Sequence, residues 1–334
     1  MIKLMIPDMP TADELLPFLR QIDEVKQYSN RGPLVRQLEA DMNYVVGAPC
    51  VTATNATVAL ELALRSLDLP SGAECAVPAF TFAATGRAIA NAGLFPVLCD
   101  VDATTWQLTP DRVPKGVDVV VPVAPFGDPV NQHEWSRFAD IRGTPVVVDA
   151  AGALLGEDVA PGVDAVFSLH ATKFIGAGEG GIFASTEAAR VDRVRQMTAF
   201  GIGGTNAKLS EYHAAVTLAS MSPARLSRKL AATQRVANCY RKHFPHMRVR
   251  HDSTIAPLLL TLYVPAPEVV KWLAAERVEA KQWYRPFLNE FWPVPGLPVT
   301  TMLRDRMIGL PFHTGLTDAD VDLVCGLLKK WGAA

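Results

Sequence analysis

The run Asp164-Ala165-Val166-Phe167-Ser168-Leu169-His170-Ala171-Thr172-Lys173 is followed, two residues on, by Gly176-Ala177-Gly178-Glu179-Gly180-Gly181. An apolar strand thus delivers a serine, a histidine and a lysine into a turn of small residues, where the backbone must bend tightly. Lysine is ordinarily a surface residue, seldom buried without a partner. Held in a semi-buried pocket, its ammonium gives up a proton more readily, because desolvation disfavours the charged form. The free amine is then a nucleophile suited to Schiff-base chemistry. The plain alternative is a solvated loop lysine, and Ser168 and His170 on the same strand argue for the pocket. The glycines do not make a P-loop, since no Gly-Lys-Ser or Gly-Lys-Thr is present. Their literal GxGxxG match is a weak one, because it precedes a strand instead of opening a helix.

Working outward, short apolar runs recur at Cys75–Pro78, Pro96–Asp100, Asp118–Pro122, Pro145–Asp149, Ala165–Ser168 and Gly181–Ala184, separated by helical patterns. Continuous rather than alternating, they predict strands covered on both faces of a mostly parallel sheet. Functional groups in such sheets gather at the carboxyl ends of strands, where Asp149 and Ser168 both fall. Asp149 alone reads as a turn or cap residue, with a metal ligand or a ribose acceptor as alternatives. With Lys173 downstream, a partner for a pyridinium nitrogen gains, because pyridoxal phosphate (PLP) needs an anion there to act as an electron sink. Thr52-Ala53-Thr54-Asn55-Ala56-Thr57 opens directly into the helical run Val58–Leu64. Such a start presents unpaired N–H groups and the positive end of the dipole, which suit a phosphate. Phe82 is by default a core residue, but its place at a strand's carboxyl end also suits stacking on a planar ring. His170, His213 and His313 read as structural, and no two of them have metal-ligand spacing.

The 334 residues are 49% apolar and 20% charged, with a net charge of −2, an ordinary globular composition. That charge argues against nucleic acid or an anionic membrane as the main partner. Cys50, Cys75, Cys99, Cys239 and Cys325 are scattered, without CxxC spacing. They read as buried small hydrophobes in a reducing compartment. No basic-then-apolar leader is visible, and the longest apolar runs fall short of the roughly 20 residues that span a bilayer, so a cytoplasmic protein is expected. Thr11 to Val46 predicts two amphipathic helices interrupted at Asn30-Arg31-Gly32-Pro33. Beyond about Arg225 the pattern predicts a long helix through Tyr240, a strand Pro257–Val264, a helix Pro267–Ala280 and a proline-rich stretch Tyr284–Val299. A final helix starts at the capping-box-like Thr317-Asp318-Ala319-Asp320. The expected organisation is a large domain over residues 1–225 and a smaller C-terminal α/β domain over residues 226–334.

Together these stretches resemble the DegT/DnrJ/EryC1/StrS family of PLP-dependent sugar aminotransferases. The resemblance runs almost end to end, through Gly32-Pro33-Leu34-Val35, Asn55–Leu60, Pro78–Thr85, Phe126-Gly127-Asp128-Pro129 and Asp149-Ala150-Ala151. It continues through Phe167–Lys173, Gly178–Gly181, Asn206–Ala215 and Leu310-Pro311-Phe312-His313. It implies an aspartate-aminotransferase-like α/β fold of PLP fold type I. It also implies an amino transfer from L-glutamate to a keto-sugar, a nucleotide-linked 4-keto or 3-keto deoxysugar. Lys173 would carry the cofactor and move the proton, Asp149 would pair with the pyridinium nitrogen, and Phe82 would stack on the ring. Ala56, Thr57 and Ser168 would hold the phosphate, and Asn206 would reach the phosphate in a neighbouring subunit, making the active unit a homodimer. Three positions depart from the family pattern: Gly152 replaces a usual glutamine, Ala56 a usual glycine and Lys208 a common arginine. The rival readings are a PLP-binding regulatory or accessory protein without turnover and, below it, a sugar dehydratase of the same family, which would carry histidine in place of Lys173.

Overall fold

Seven buried apolar runs pair into a single sheet: β1 (Cys50–Ala53), β2 (Glu74–Pro78), β3 (Phe95–Cys99), β4 (Val119–Val120), β5 (Val146–Asp149), β6 (Val163–Ser168) and β7 (Gly181–Ser185). The computed structural model describes residues 1–156, 158–245, 259–261 and 265–332. The spatial order is β1-β7-β6-β5-β4-β2-β3. Strands β3, β2, β4, β5 and β6 run parallel, while β7 is antiparallel to both β6 and β1. Two details differ from the sequence expectation. Strand β1 is new, because four residues running straight into a helix carry little periodic signal. Strand β4 is shorter than Asp118–Pro122, since Pro122 has no N–H to donate; its carbonyl instead accepts from Asp149 N at 2.9 Å.

Helices cover both faces. On one side lie α1 (Ala12–Val25) and α2 (Pro33–Val46); on the other, α3 (Ala56–Arg65) and α4 (Ala83–Asn91). Further along come α5 (Gln132–Arg142), α6 (Ala188–Thr198) and α7 (Glu211–Ser220). Successive strand residues point to opposite faces, so Val146 and Val148 enter the core with α2, α5 and α7, while Val147 enters the core with α3, α4 and α6. Both faces therefore demand apolar side chains, which is why the strands read as unbroken apolar runs. The buried carboxylate of Glu211 accepts from Leu34 N at 2.7 Å and Val35 N at 3.1 Å, closing the start of α2.

The C-terminal domain is built on α8 (Pro223–His243) and a three-stranded antiparallel sheet of β8 (Leu259–Thr261), β9 (Lys281–Gln282) and β10 (Met307–Gly309), in the order β8-β10-β9. Of the expected strand Pro257–Val264, only β8 lies within the described residues. Helix α9 (Ala266–Ala275) stops short of the expected Ala280. Arg277 takes a left-handed φ of 62°, and Val278 N folds back to Leu273 O at 2.9 Å, a capped helix end. Val278 then bridges Ile2, so the first residues of the chain pack on this domain. The proline-rich stretch leads into two short helices, α10 (Leu288–Phe291) and α11 (Pro298–Arg306), before the final α12 (Asp318–Trp331). Asp100, just beyond β3, accepts from Val299 N at 2.9 Å, Thr300 N at 2.8 Å and Thr300 Oγ1 at 2.7 Å. It thereby satisfies the open N-terminal turn of α11 from the other domain. Phe80, Trp106, Tyr284, Leu303 and Met307 pack as one cluster across the same junction. Among the described residues no helix is long and apolar enough to cross a membrane.

Candidate active site

The loop after β6 is held by its own backbone. Leu169 N bonds to Gly180 O at 2.9 Å, Ala171 N to Gly178 O at 3.0 Å, and Ala177 N to Leu169 O at 2.7 Å. Lys173 N closes on His170 O at 2.8 Å. This ladder fixes the backbone of Lys173, whose side chain lines a cavity of about 690 Å³ above the carboxyl ends of β5 and β6. That volume is in the range of small-molecule sites. Burial pushes the Lys173 ammonium below the ordinary lysine range, with the charge of Asp149 pulling the other way.

Asp149, at the end of β5, is buried in the same cavity. Thr85 Oγ1 donates to its Oδ2 at 2.7 Å, and Ala151 N donates to its Oδ1 at 3.1 Å. Thr81 and Thr85 hydroxyls are 2.9 Å apart. The single Thr85 proton is spent on the carboxylate, so Thr81 is the donor in that second bond. Burial raises the Asp149 carboxyl above the usual carboxylate range; the Thr85 and Ala151 hydrogen bonds and Lys173 partly offset this. An anion stabilised this way in an enclosed site favours a cationic partner above it.

At the other end of the cavity, Asn55 caps α3, its side chain accepting from Val58 N at 2.9 Å. Ala56 and Thr57 form the first turn beneath it and face the cavity together with Ser168. Ala56 keeps a negative φ, so its methyl group costs nothing in backbone strain. A Cβ on Gly181 would lie 2.4 Å from Asn55 C, so a glycine there is what lets β7 meet the start of α3. The donor set fits PLP: helix N–H groups and hydroxyls for a phosphate, a buried carboxylate for a ring nitrogen, and a lysine with a depressed pKa.

Aromatic side chains wall the space. Phe82, at the N-cap of α4, is 48% exposed and opens onto the cavity. Phe126 stacks on Tyr284, with centroids 4.5 Å apart and planes at 7°. Trp283 and Lys281 line the same side, with His170 and Glu179 also on the wall. A Cβ on Gly152 would fall 2.9 Å from Gly127 N, so the backbone after Asp149 is pressed against the Phe126–Gly127 turn. Asn206 lies outside this chain's own cavity; it is exposed and accepts from Lys208. His213 belongs to the N-cap of α7, where it bonds Ser210 at 2.7 Å, and His313 also lies away from the main cavity. Among the described residues no group of His, Cys, Asp and Glu is placed to hold a metal.

Lys173, Asp149, Ala56, Thr57, Phe82 and Ser168, the candidates named from the sequence, line one cavity in the fold. Sequence reasoning missed Thr81, Thr85, Phe126, Trp283 and Tyr284. Thr85 had a faint signal, a buried threonine one helical turn after Phe82.

The family model for the DegT/DnrJ/EryC1/StrS aminotransferases matches residues 11–329. The chain belongs to this family. A relative from Shigella dysenteriae, named dTDP-4-amino-4,6-dideoxy-D-glucose transaminase, is 23% identical over 97% of each chain. Another, from Acidithiobacillus ferrooxidans, is named for 3-amino transfer to UDP-N-acetyl-3-dehydro-alpha-D-glucosamine; it is 26% identical over 96% of this chain and 94% of its own. The solved structure of DesI with its TDP-sugar product superposes with a TM-score of 0.90 at 30% identity, covering 99% of this chain and 93% of that one. The chain is therefore a sugar aminotransferase of PLP fold type I, and its cofactor is PLP.

Proposed function

We propose that this aminotransferase moves an amino group from L-glutamate to a nucleotide-linked keto-sugar, at C4 or C3, with Lys173 as the residue that carries and deprotonates. Bound PLP supplies the electron sink for both half-reactions. Asp149, held by Thr85 and Ala151 N, keeps the ring nitrogen protonated. Ala56 N, Thr57 and Ser168 bind the phosphate, and Phe82 stacks on the ring. Lys173, its amine biased toward the neutral form, binds the cofactor at rest and takes and returns a proton at the substrate carbon during transfer. The observation that carries this reading is the meeting of a buried carboxyl, Asp149, and a half-buried amine, Lys173, in one cavity with an open helix start. Names of relatives acting at C4 and at C3 support either carbon.

The protein as purified should show the visible band of a lysine-bound cofactor, bleached by L-glutamate and restored by the keto-sugar nucleotide. A Lys173→Ala protein that kept full turnover would sink the assignment. The active unit in this reading is a homodimer, with Asn206 of each subunit serving the other's phosphate. Mixing inactive Lys173→Ala and Asn206→Ala proteins should restore activity through hybrid dimers with one intact site. No gain on mixing would remove the shared site. All five cysteines are free and buried, which supports a reducing, cytoplasmic setting.

A further inference from the structure

Tyr284 holds a buried hydroxyl whose hydrogen bonding is half complete. Its oxygen accepts the Phe126 N–H at 3.0 Å, and among the described residues its own proton is given to nothing. The ring cannot turn away: it is stacked flat on Phe126 at 4.5 Å and flanked by Phe80 at 5.1 Å. Burial first, then the charge of Asp149, hold the phenol well above its ordinary pKa, so it stays a neutral donor. A buried donor of this kind is costly unless something in the cavity accepts from it.

The order of the sheet says where that acceptor lies. The phosphate cradle belongs to the β1-β7-β6 side: Asn55 and Ala56 follow β1 and touch Gly181 of β7, and Ser168 ends β6. Asp149 ends the next strand, β5. Phe126 follows β4, and Phe80 follows β2, so Tyr284 stands on the β4-β2 side. In PLP the phosphate arm and the 3-oxygen lie on opposite sides of the line through the ring nitrogen and the carbon bound by lysine. With the arm toward β6 and the nitrogen toward Asp149, the 3-oxygen faces β4 and β2.

We infer that Tyr284 donates its O–H to the 3-oxygen of the cofactor, a contact delivered from the C-terminal domain. Gly152 is part of the same arrangement. Its missing side chain lets the Phe126–Gly127 turn close in, and that turn presents the N–H that orients the phenol. The inference rests on the cofactor placement proposed above.

The test is Tyr284→Phe, which keeps the stacking and removes only the hydroxyl. A donor to the 3-oxygen stabilises its anionic form, so in the holoenzyme the pH midpoint of the visible band should rise by roughly one unit in the variant. Affinity for pyridoxamine phosphate should fall about tenfold or more, the scale of a hydrogen bond to a charged group. Affinity for an analogue lacking the 3-oxygen should not change. An unmoved midpoint, or an equal loss for both ligands, would overturn the inference while leaving the cofactor site standing. A wild-type protein that binds neither ligand and shows no visible band would bring down the placement as well.

Discussion

Thr85→Val tests whether the chain of hydroxyls beneath the cavity holds a charge. Valine matches threonine in shape, so no void forms, and the change removes only the donor 2.7 Å from Asp149 Oδ2. A hydrogen bond to a charged group contributes roughly 1.5–3 kcal/mol, and one to a neutral group about 0.5–1.5 kcal/mol. Thr81, buried at 1% exposure, also loses its acceptor, which adds on the order of 1 kcal/mol at any pH. The pH dependence follows from Asp149. Its carboxyl pKa is raised in the folded protein, so the folded state keeps that proton longer than the unfolded chain. Stability from this group is greatest below the ordinary carboxylate pKa and declines as pH rises through the folded value. Valine raises the folded value further, so the cost of the substitution grows with pH. Urea unfolding of the cofactor-free protein, followed by tryptophan fluorescence, should give a loss about 1 kcal/mol larger near pH 9 than near pH 5. An equal loss at both pH values, or a larger one in acid, would show that Thr85 does not hold an anion.

Lys173→Ala should abolish transamination and the visible band while still binding pyridoxamine phosphate, measurable by fluorescence titration. Gly152→Ala places a methyl group 2.9 Å from Gly127 N and should cost about 1–3 kcal/mol in thermal unfolding, as overpacking does. Asp100→Ala leaves Val299 N and Thr300 N without their acceptor. It should destabilise the protein by about 1–2 kcal/mol, with faster hydrogen exchange confined to the start of α11.

The strands from β2 to β7 were legible because burial on both faces forces unbroken apolar runs, and a strand that ends on Asp149 or Ser168 stands out among them. Lys173 was legible for the same reason. Strand β1 was hidden because four residues between a turn and a helix carry no period, and β10 because it follows a helix end without turn residues. Tyr284 was hidden by its surroundings. A tyrosine opening a proline-rich stretch reads as a loop, and only the packing of Phe80, Phe126 and Leu303 around it, from distant parts of the chain, turns it toward the cavity. Arg277 marks a related failure, where helical periodicity ran on past a residue in the left-handed region that stops the helix.

The glycine run after Lys173 suggests flexibility in the sequence, yet of Gly176, Gly178, Gly180 and Gly181 only Gly178 has a positive φ, at 91°. A side chain at Gly176 would press on Ala171, at Gly180 on Leu169, and at Gly181 on Asn55 and Ala56. Three of the four glycines therefore act as spacers. They set how near the lysine loop lies to its own return segment, and how near that segment lies to the helix start. The run works as a gauge, fixing the separation between the lysine loop and the start of α3. A methyl group at position 181 would press on the backbone of Asn55 and Ala56 and lengthen that gauge from the inside.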